Sequence, residues 1–239
     1  MKLLNQERDE EPDASTRRAK AARERAAKDR LKRVERALAQ MPEVEEKKKS
    51  DNGKKKTEPR TSTTDPDARV MKMADGGYRP AYNIQNVTDT VTKVIVAVEV
   101  TNDGTDMQQM EPMADQVDQT YGRLPEEWLA DGGYMLLQAI DRLSQRNCRV
   151  FGPPRKRTST GAKRDDPPGV GAWRERMETP EAQAIYRERG ATAELVIAHQ
   201  RNNGMRQLNV RGIERVRSVA LLFAVVHNFV RMRSLGFAF

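Results

Sequence analysis

The stretch "AYNIQNVTDTVTKVIVAVEV", residues 81–100, changes character halfway along. Its first part alternates apolar and polar side chains. Its second part is an apolar, β-branched run, and Thr88-Asp89-Thr90 lies between the two. Alternation marks a strand with one wet face, whereas a continuous apolar run marks a strand buried on both faces. The pair reads as an antiparallel hairpin whose second strand lies inside the fold. "TNDGTD" ends it, and Asp106 is placed to cap a helix running to about Tyr121. Met107, Met110, Met113 and Val117 fall along one side of that helix, the spacing of core packing.

Working toward the C-terminus, Pro125 and "WLA" give a short strand that ends at Asp131. Leu136, Leu137, Ile140 and Leu143 mark a helix, and "CRVFGPP" reads as a strand stopped by prolines. Residues 154–172 hold five Lys/Arg before any acid, and read as an exposed basic loop. Thr179-Pro180-Glu181 combines a capping hydroxyl, a proline in the first turn and an acid at the positive end of a helix. That helix is expected to pass Tyr186 and Glu194 and reach about Arg201. Gly204 breaks it, and residues 213–229 form an apolar closing helix. The order of elements is that of an α/β fold, a mixed sheet flanked by helices.

Working toward the N-terminus, residues 13–41 are Ala, Arg, Lys and Glu without Gly or Pro, a strongly helical composition. Ala27, Leu31, Val34, Leu38 and Met41 repeat at 4-3-4-3 spacing, which predicts a short apolar seam. Pro42 is expected to end the helix. Residues 42–64 are polar, with lysines at 47–49 and 54–56 around Asn52-Gly53, and read as a disordered basic linker. The expected organisation is a charged helical segment (1–41), that linker (42–64) and one folded domain (65–239).

Composition narrows the partners. Charged residues make up 33% of the chain, net charge is +8, and the pI is near 9.7, which favours a polyanion and nucleic acid first. A single cysteine, Cys148, excludes an internal disulfide framework and a cysteine cage for metal. The start carries no apolar stretch long enough for a signal peptide. The longest apolar run, residues 219–226, is too short to span a bilayer and reads as a core helix. The expected location is cytoplasmic, associated with the nucleoid, with no membrane contact.

Two places could carry chemistry. Ala-Asp-Gly-Gly-Tyr occurs twice, with its aspartates at 75 and 131, but the flanks share nothing, so it is not a duplicated unit. Asp131 stands just past a short buried strand, where α/β sheets present functional groups, and the glycines after it let the chain turn sharply. Arg187, Glu194 and Arg201 stand seven residues apart and are expected on one helical face. An acid between two arginines suits a metal ligand with phosphate-binding neighbours.

Residues 63–239 resemble the second half of a bacterial insertion-sequence transposase of the DDE class. The motifs that carry the resemblance are "STTDPDARVMKMADGGYRPAYNIQ", "VTNDGTDMQQMEPM", "PEEWLADGGY", "TPEAQAIYRERGATAEL" and "RNNGMRQLNVRGIERVRSVALLFAVVHNFVRM". The helix and lysine linker before them resemble the helical insertion such enzymes carry. The resemblance implies an RNase H-like core in which three carboxylates hold two Mg²⁺ ions, with Mn²⁺ as a substitute, for hydrolysis and strand transfer at DNA phosphodiesters. Asp131 matches the second aspartate of the triad and Glu194 the final glutamate; Asp75 matches neither.

Tyr186, Arg189 and Arg201 resemble the Tyr–Arg–Glu–Lys signature around the glutamate. Arg stands in the usual Lys position, and one extra residue lies between Arg189 and Glu194. The strand and aspartate that open the core in this family have no counterpart in residues 1–64, so the chain reads as the C-terminal part of such an enzyme, inactive alone. Asp103 and Asp106 match a loop of the family rather than that aspartate. Implied partners are DNA, as transposon ends and target, and another transposase copy, either a homo-oligomer or a full-length enzyme. Arg187 and the basic residues Arg155, Lys156 and Arg157 join the expected DNA contacts. The alternative is a non-catalytic DNA-binding remnant that inhibits or joins a full-length transposase, resting on the basic loop and the arginines at 211–217.

Overall fold

The computed structural model describes residues 14–50, 58–73, 75–154 and 165–237. The chain forms two compact units, residues 1–82 and 83–239.

The first unit contains helix α1 (Ala14–Ser50) and the antiparallel hairpin β1 (Arg69–Lys72) and β2 (Tyr78–Ala81). Two expectations fail in α1. The helix does not stop at Pro42 but continues to Ser50. Contacts on both sides of the proline hold it: Ala37 and Val44 are buried, and Arg36 and Gln40 reach the Asp67 carboxylate at 2.7 and 3.5 Å. Tertiary packing of this kind overrides the roughly 3 kcal/mol that an interior proline costs a helix. The expected seam is also not the buried stripe, since Leu31 and Leu38 are exposed. Residues 51–57 of the expected linker lie outside the described residues.

The β1–β2 hairpin was not anticipated, although its Asp75-Gly76 turn between short extended runs is a recognised hairpin signal. The Asp75 carboxylate accepts the Gly77 N–H at 3.0 Å and pairs with Arg79. The Gly77 N–H, foremost, and the Arg79 charge hold that carboxyl below its ordinary value.

The second unit opens with the expected hairpin, β3 (Asn83–Thr88) and β4 (Ile95–Thr101), antiparallel with Ile84 opposite Val100. Ala97 and Val98 are consecutive and both buried, as a strand covered on both faces requires. The turn is wider than expected: Asp89 accepts from Thr92, Lys93 takes a φ of +62°, and β4 starts only at Ile95.

Helix α2 (Met110–Tyr121), strand β5 (Glu127–Leu129), helix α3 (Leu137–Gln145) and strand β6 (Arg149–Phe151) follow, with β5 and β6 parallel. Met110, Met113 and Val117 of α2 enter one core with Trp128, Ile140, Leu143 and Phe151. Cys148 is fully buried there, and burial pushes its thiol up to about 11, which keeps it inert.

Helix α4 (Pro168–Glu178) takes up residues expected to be loop. Gly169 makes the approach possible: its N–H meets the Asp141 carboxylate at 3.0 Å, and a Cβ there would stand 2.7 Å from Ser144. Trp173 is buried, and it donates to the Gly152 carbonyl at 3.2 Å. Beside it Arg174 is buried and pairs with Asp166 at 2.7 Å.

Helix α5 (Pro180–Arg189) begins as expected, with the Thr179 hydroxyl accepting the Ala182 N–H. A π turn (Gly190–Glu194) joins it to helix α6 (Leu195–Asn202), and helix α7 (Ile213–Ser234) closes the chain. The expectation that α7 is a core helix holds for one stripe only. Val216, Ala220, Ala224 and His227 are buried, while Leu222, Val226, Phe229 and Val230 are exposed. None of the described helices is long and apolar enough to cross a membrane.

Candidate functional site

Asp131 is set by β5. The Ala130 N–H bonds the Phe151 carbonyl at 2.9 Å, so the chain leaves the parallel pair immediately before the aspartate. The turn then closes on itself: Asp131 Oδ1 accepts the Gly133 N–H at 2.8 Å, and the Asp131 carbonyl accepts the Tyr134 N–H at 3.1 Å. A Cβ on Gly133 would stand 2.9 Å from Asp131 Oδ1 and 3.5 Å from Asp106 Oδ2. Two carboxylates thus flank one glycine, and the missing side chain keeps the space between them open.

Asp106 was expected to cap α2, but that helix starts four residues later and its N-terminal residue Gln109 makes no side-chain cap. The carboxylate is drawn elsewhere. Asp106 Oδ1 accepts from Asn83 Nδ2 and Gln85 Nε2, each at 2.7 Å. Two amide donors, one of them on the buried Gln85, outweigh the helix start as partners for a carboxylate. Gln85 in turn accepts from the Tyr134 hydroxyl. Burial first, then the charges of Asp106 and Asp131, push the Tyr134 phenol well above its usual range, so it stays a neutral donor.

Sequence reasoning missed Asp106, Gln85 and Tyr134 as a group. The signal available was the i, i+2 pair of amides, Asn83 and Gln85, on one face of a strand that should alternate apolar residues there.

The glutamate side of the site is shaped by the π turn. The extra residue between Arg189 and Glu194 is absorbed there, because an i→i+5 turn takes in one more residue than an α turn. The Thr192 hydroxyl donates to the Glu188 and Arg189 carbonyls at 3.2 and 2.9 Å, satisfying groups that the widened turn leaves over. At roughly 100° per residue, one absorbed residue rotates Arg187 away from Glu194. The expectation of a shared Arg187–Glu194–Arg201 face is therefore corrected: Arg189 stands one turn below Glu194, and Arg201 follows it along α6.

Arg189 lies 5.6 Å over the Tyr186 ring, and Tyr186 rests on the core. Arg187, Glu194 and Arg201 are exposed. The Glu194 carboxylate folds back toward Gly190, its Oε1 3.7 Å from where a Cβ there would be. Arg155, Lys156 and Arg157 lie outside the described residues.

The oxygen chemistry of Asp131, Asp106 and Glu194 suits a hard divalent cation. The arrangement does not close around one: among the described residues no three His, Cys, Asp or Glu side chains stand close enough to hold a metal ion. His199 and His227, far apart in sequence, meet with ring centroids 5.5 Å apart, His227 bonded to the Lys93 carbonyl. Arg217 is tied to Glu99 at 2.6 Å and to Glu214, which makes it a structural link between α7 and β4.

Asp131 thus stands at the end of a strand with a second acid beside it, and Arg189, stacked on Tyr186, lines the same groove, at the strand-end position where α/β sheets present ligand sites. The family model described as the transposase DDE domain matches residues 44–229, which include Asp131 and Glu194. The chain belongs to that family. No curated protein and no solved structure matches it.

Proposed function

We propose that this chain is a DNA transposase polypeptide with an RNase H-like core, in which Asp131 and Glu194 are the ligands of Mg²⁺ or, in its place, Mn²⁺. The observation that carries this reading is the position of Asp131 just past the carboxyl end of β5, within the span of the family match. A cation held there would polarise the scissile phosphate and supply a nucleophile at neutral pH. The chain's own residues do the rest. Gly133 leaves the carboxylate approachable, and Arg189 and Arg201 neutralise phosphate charge on the two sides of Glu194. Tyr186 fixes the Arg189 guanidinium by stacking.

By itself the chain does not cut DNA. No aspartate of residues 1–64 follows a strand-like run that would match the third carboxylate of the family site, and Asp106 has one oxygen committed to Asn83 and Gln85. The chain acts on transposon ends and target DNA within an assembly that contains another transposase copy.

Supercoiled plasmid incubated with the protein in Mg²⁺ and in Mn²⁺ tests this. The expected result is retention of the DNA, weakened by salt and by Arg189→Ala or Arg201→Ala, without nicking. Metal-dependent nicking abolished by both Asp131→Asn and Glu194→Gln would contradict the claim of inactivity. A protein that does not retain DNA at low salt would sink the reading altogether.

A further inference from the structure

The chain contains two histidines in its 239 residues, and the two meet. His199 lies on α6 and His227 on α7, with ring centroids 5.5 Å apart. The ring planes are inclined at 48°, neither stacked nor edge-to-face, and no hydrogen bond joins them. Ring packing therefore does not account for the approach.

The two nitrogens of His227 differ, and the residue is 3% exposed. Nε2 stands 2.9 Å from the Lys93 carbonyl, which can only accept, so the ring proton sits on Nε2. Nδ1 then holds a lone pair, is buried, and has no hydrogen-bond partner. An orphaned acceptor in the interior costs free energy unless something takes its lone pair. Burial, foremost, holds this imidazole below its ordinary value, so the ring is uncharged at neutral pH. A ring that donates one N–H to a backbone carbonyl and bares its other nitrogen has the arrangement of a metal-ligating histidine. His199 is half-buried, and its ring nitrogens make no hydrogen bond among the described residues.

The spacing fits one cation between the rings. A nitrogen–zinc bond of about 2.0–2.1 Å places the metal about 3.1 Å from each ring centre. Two such arms at a tetrahedral angle span about 5.1 Å, and the observed 5.5 Å opens that angle to roughly 120°. Arg231 stands nearby, but its guanidinium is turned to the Thr92 carbonyl at 2.9 and 3.0 Å. Its charge opposes a dication. The grip expected is therefore that of a two-imidazole clip with water completing the shell, rather than of a closed four-ligand site.

We propose that His199 and His227 bind one imidazole-preferring divalent cation of the zinc class, which clips α6 to α7. The Lys93 carbonyl orients His227 from the turn between β3 and β4, so the clip reaches three elements. α6 starts one residue after Glu194, and the cation anchors the helix that follows that glutamate. Mg²⁺ and Mn²⁺ prefer oxygen and are left to carboxylates, so ligand chemistry sorts the metals. The proposal goes beyond the reading of the chain as a transposase polypeptide and does not depend on DNA.

The test is calorimetric titration of the untagged full chain with Zn²⁺, with Mg²⁺ in excess to occupy oxygen sites. Cys148 lies buried in the core and does not compete. The expected result is one equivalent of bound Zn²⁺ and a raised thermal midpoint. Binding should weaken at least tenfold in His199→Ala and in His227→Gln, whose side-chain amide can still donate to Lys93. It should stay within twofold of the parent in Asp131→Asn. If His227→Gln does not fold by circular dichroism, His199→Ala, at a half-buried residue, decides alone. Cu²⁺ in place of Zn²⁺ should give an electron paramagnetic resonance spectrum split by two imidazole nitrogens, and by fewer in His199→Ala. Three results would overturn the proposal. One is Zn²⁺ binding that is absent or that survives His199→Ala. Another is a loss in Asp131→Asn as large as in His199→Ala, which assigns the metal to the carboxylates. The third is a Cu²⁺ spectrum without nitrogen splitting.

Discussion

The pentapeptide at 74–78 and its copy at 130–134 begin with the same bond and then part company. In both, the aspartate Oδ1 accepts the N–H of the second glycine, at 3.0 Å for Asp75 and 2.8 Å for Asp131. The backbone already differs at the first glycine: Gly76 takes a φ of +82°, and Gly132 does not enter the left-handed region. The first copy reverses a surface hairpin, its aspartate paired with Arg79 and its Tyr78 70% exposed. The second ends a buried strand, its aspartate beside Asp106 and its tyrosine bonded to buried Gln85. A short motif fixes a hydrogen bond, and the element it interrupts fixes what the motif is for.

The largest effect separates ion pairs by burial. Arg174→Ala removes a buried guanidinium and its 2.7 Å pair with Asp166, which costs about 3–5 kcal/mol and is read as a large drop in the denaturation midpoint. Arg79→Ala, beside Asp75 on the surface, is expected to leave that midpoint unchanged. A similar fall in both would break the contrast.

The tyrosines come next. Tyr134→Phe strands the Gln85 oxygen in the interior and costs about 1–3 kcal/mol in urea unfolding, whereas Tyr78→Phe costs nothing measurable. A neutral Tyr134→Phe would mean that Gln85 finds another donor.

The smallest effect lies in the glycines. Gly76→Ala forces a side chain into left-handed backbone and costs about 1–2 kcal/mol. At Gly132 a Cβ would meet only Pro153 at 3.5 Å, an ordinary contact, so alanine is tolerated. Thermal unfolding of the two variants side by side checks this, and equal losses would show that the two turns share a conformation after all.

Much of the fold was legible because its cues are local. The β-branched run of β4, the methionine side of α2 and the Thr179 cap each carry their own signal within a few residues. The departures have tertiary causes. α1 continues through Pro42 because Ala37, Val44 and Asp67 hold it on both sides. Asp106 abandons the start of α2 for two amides more than twenty residues away in sequence. α7 looks like a core helix by composition, yet a core accepts only the stripe it faces, and Leu222 and Phe229 point outward. At the candidate site the sequence singled out Asp131, Glu194 and Arg189 as candidates but not how they stand. The extra residue before Glu194 was visible, and only the backbone showed that a π turn absorbs it.

The most direct test of the account is Mn²⁺ binding followed by electron paramagnetic resonance, with the parent protein beside Asp131→Asn, Glu194→Gln and Asp75→Asn. The account predicts binding weakened at least tenfold by Asp131→Asn and by Glu194→Gln, and within twofold of the parent for Asp75→Asn. Equal weakening by the two aspartate variants, or Mn²⁺ binding that survives Asp131→Asn, would contradict it.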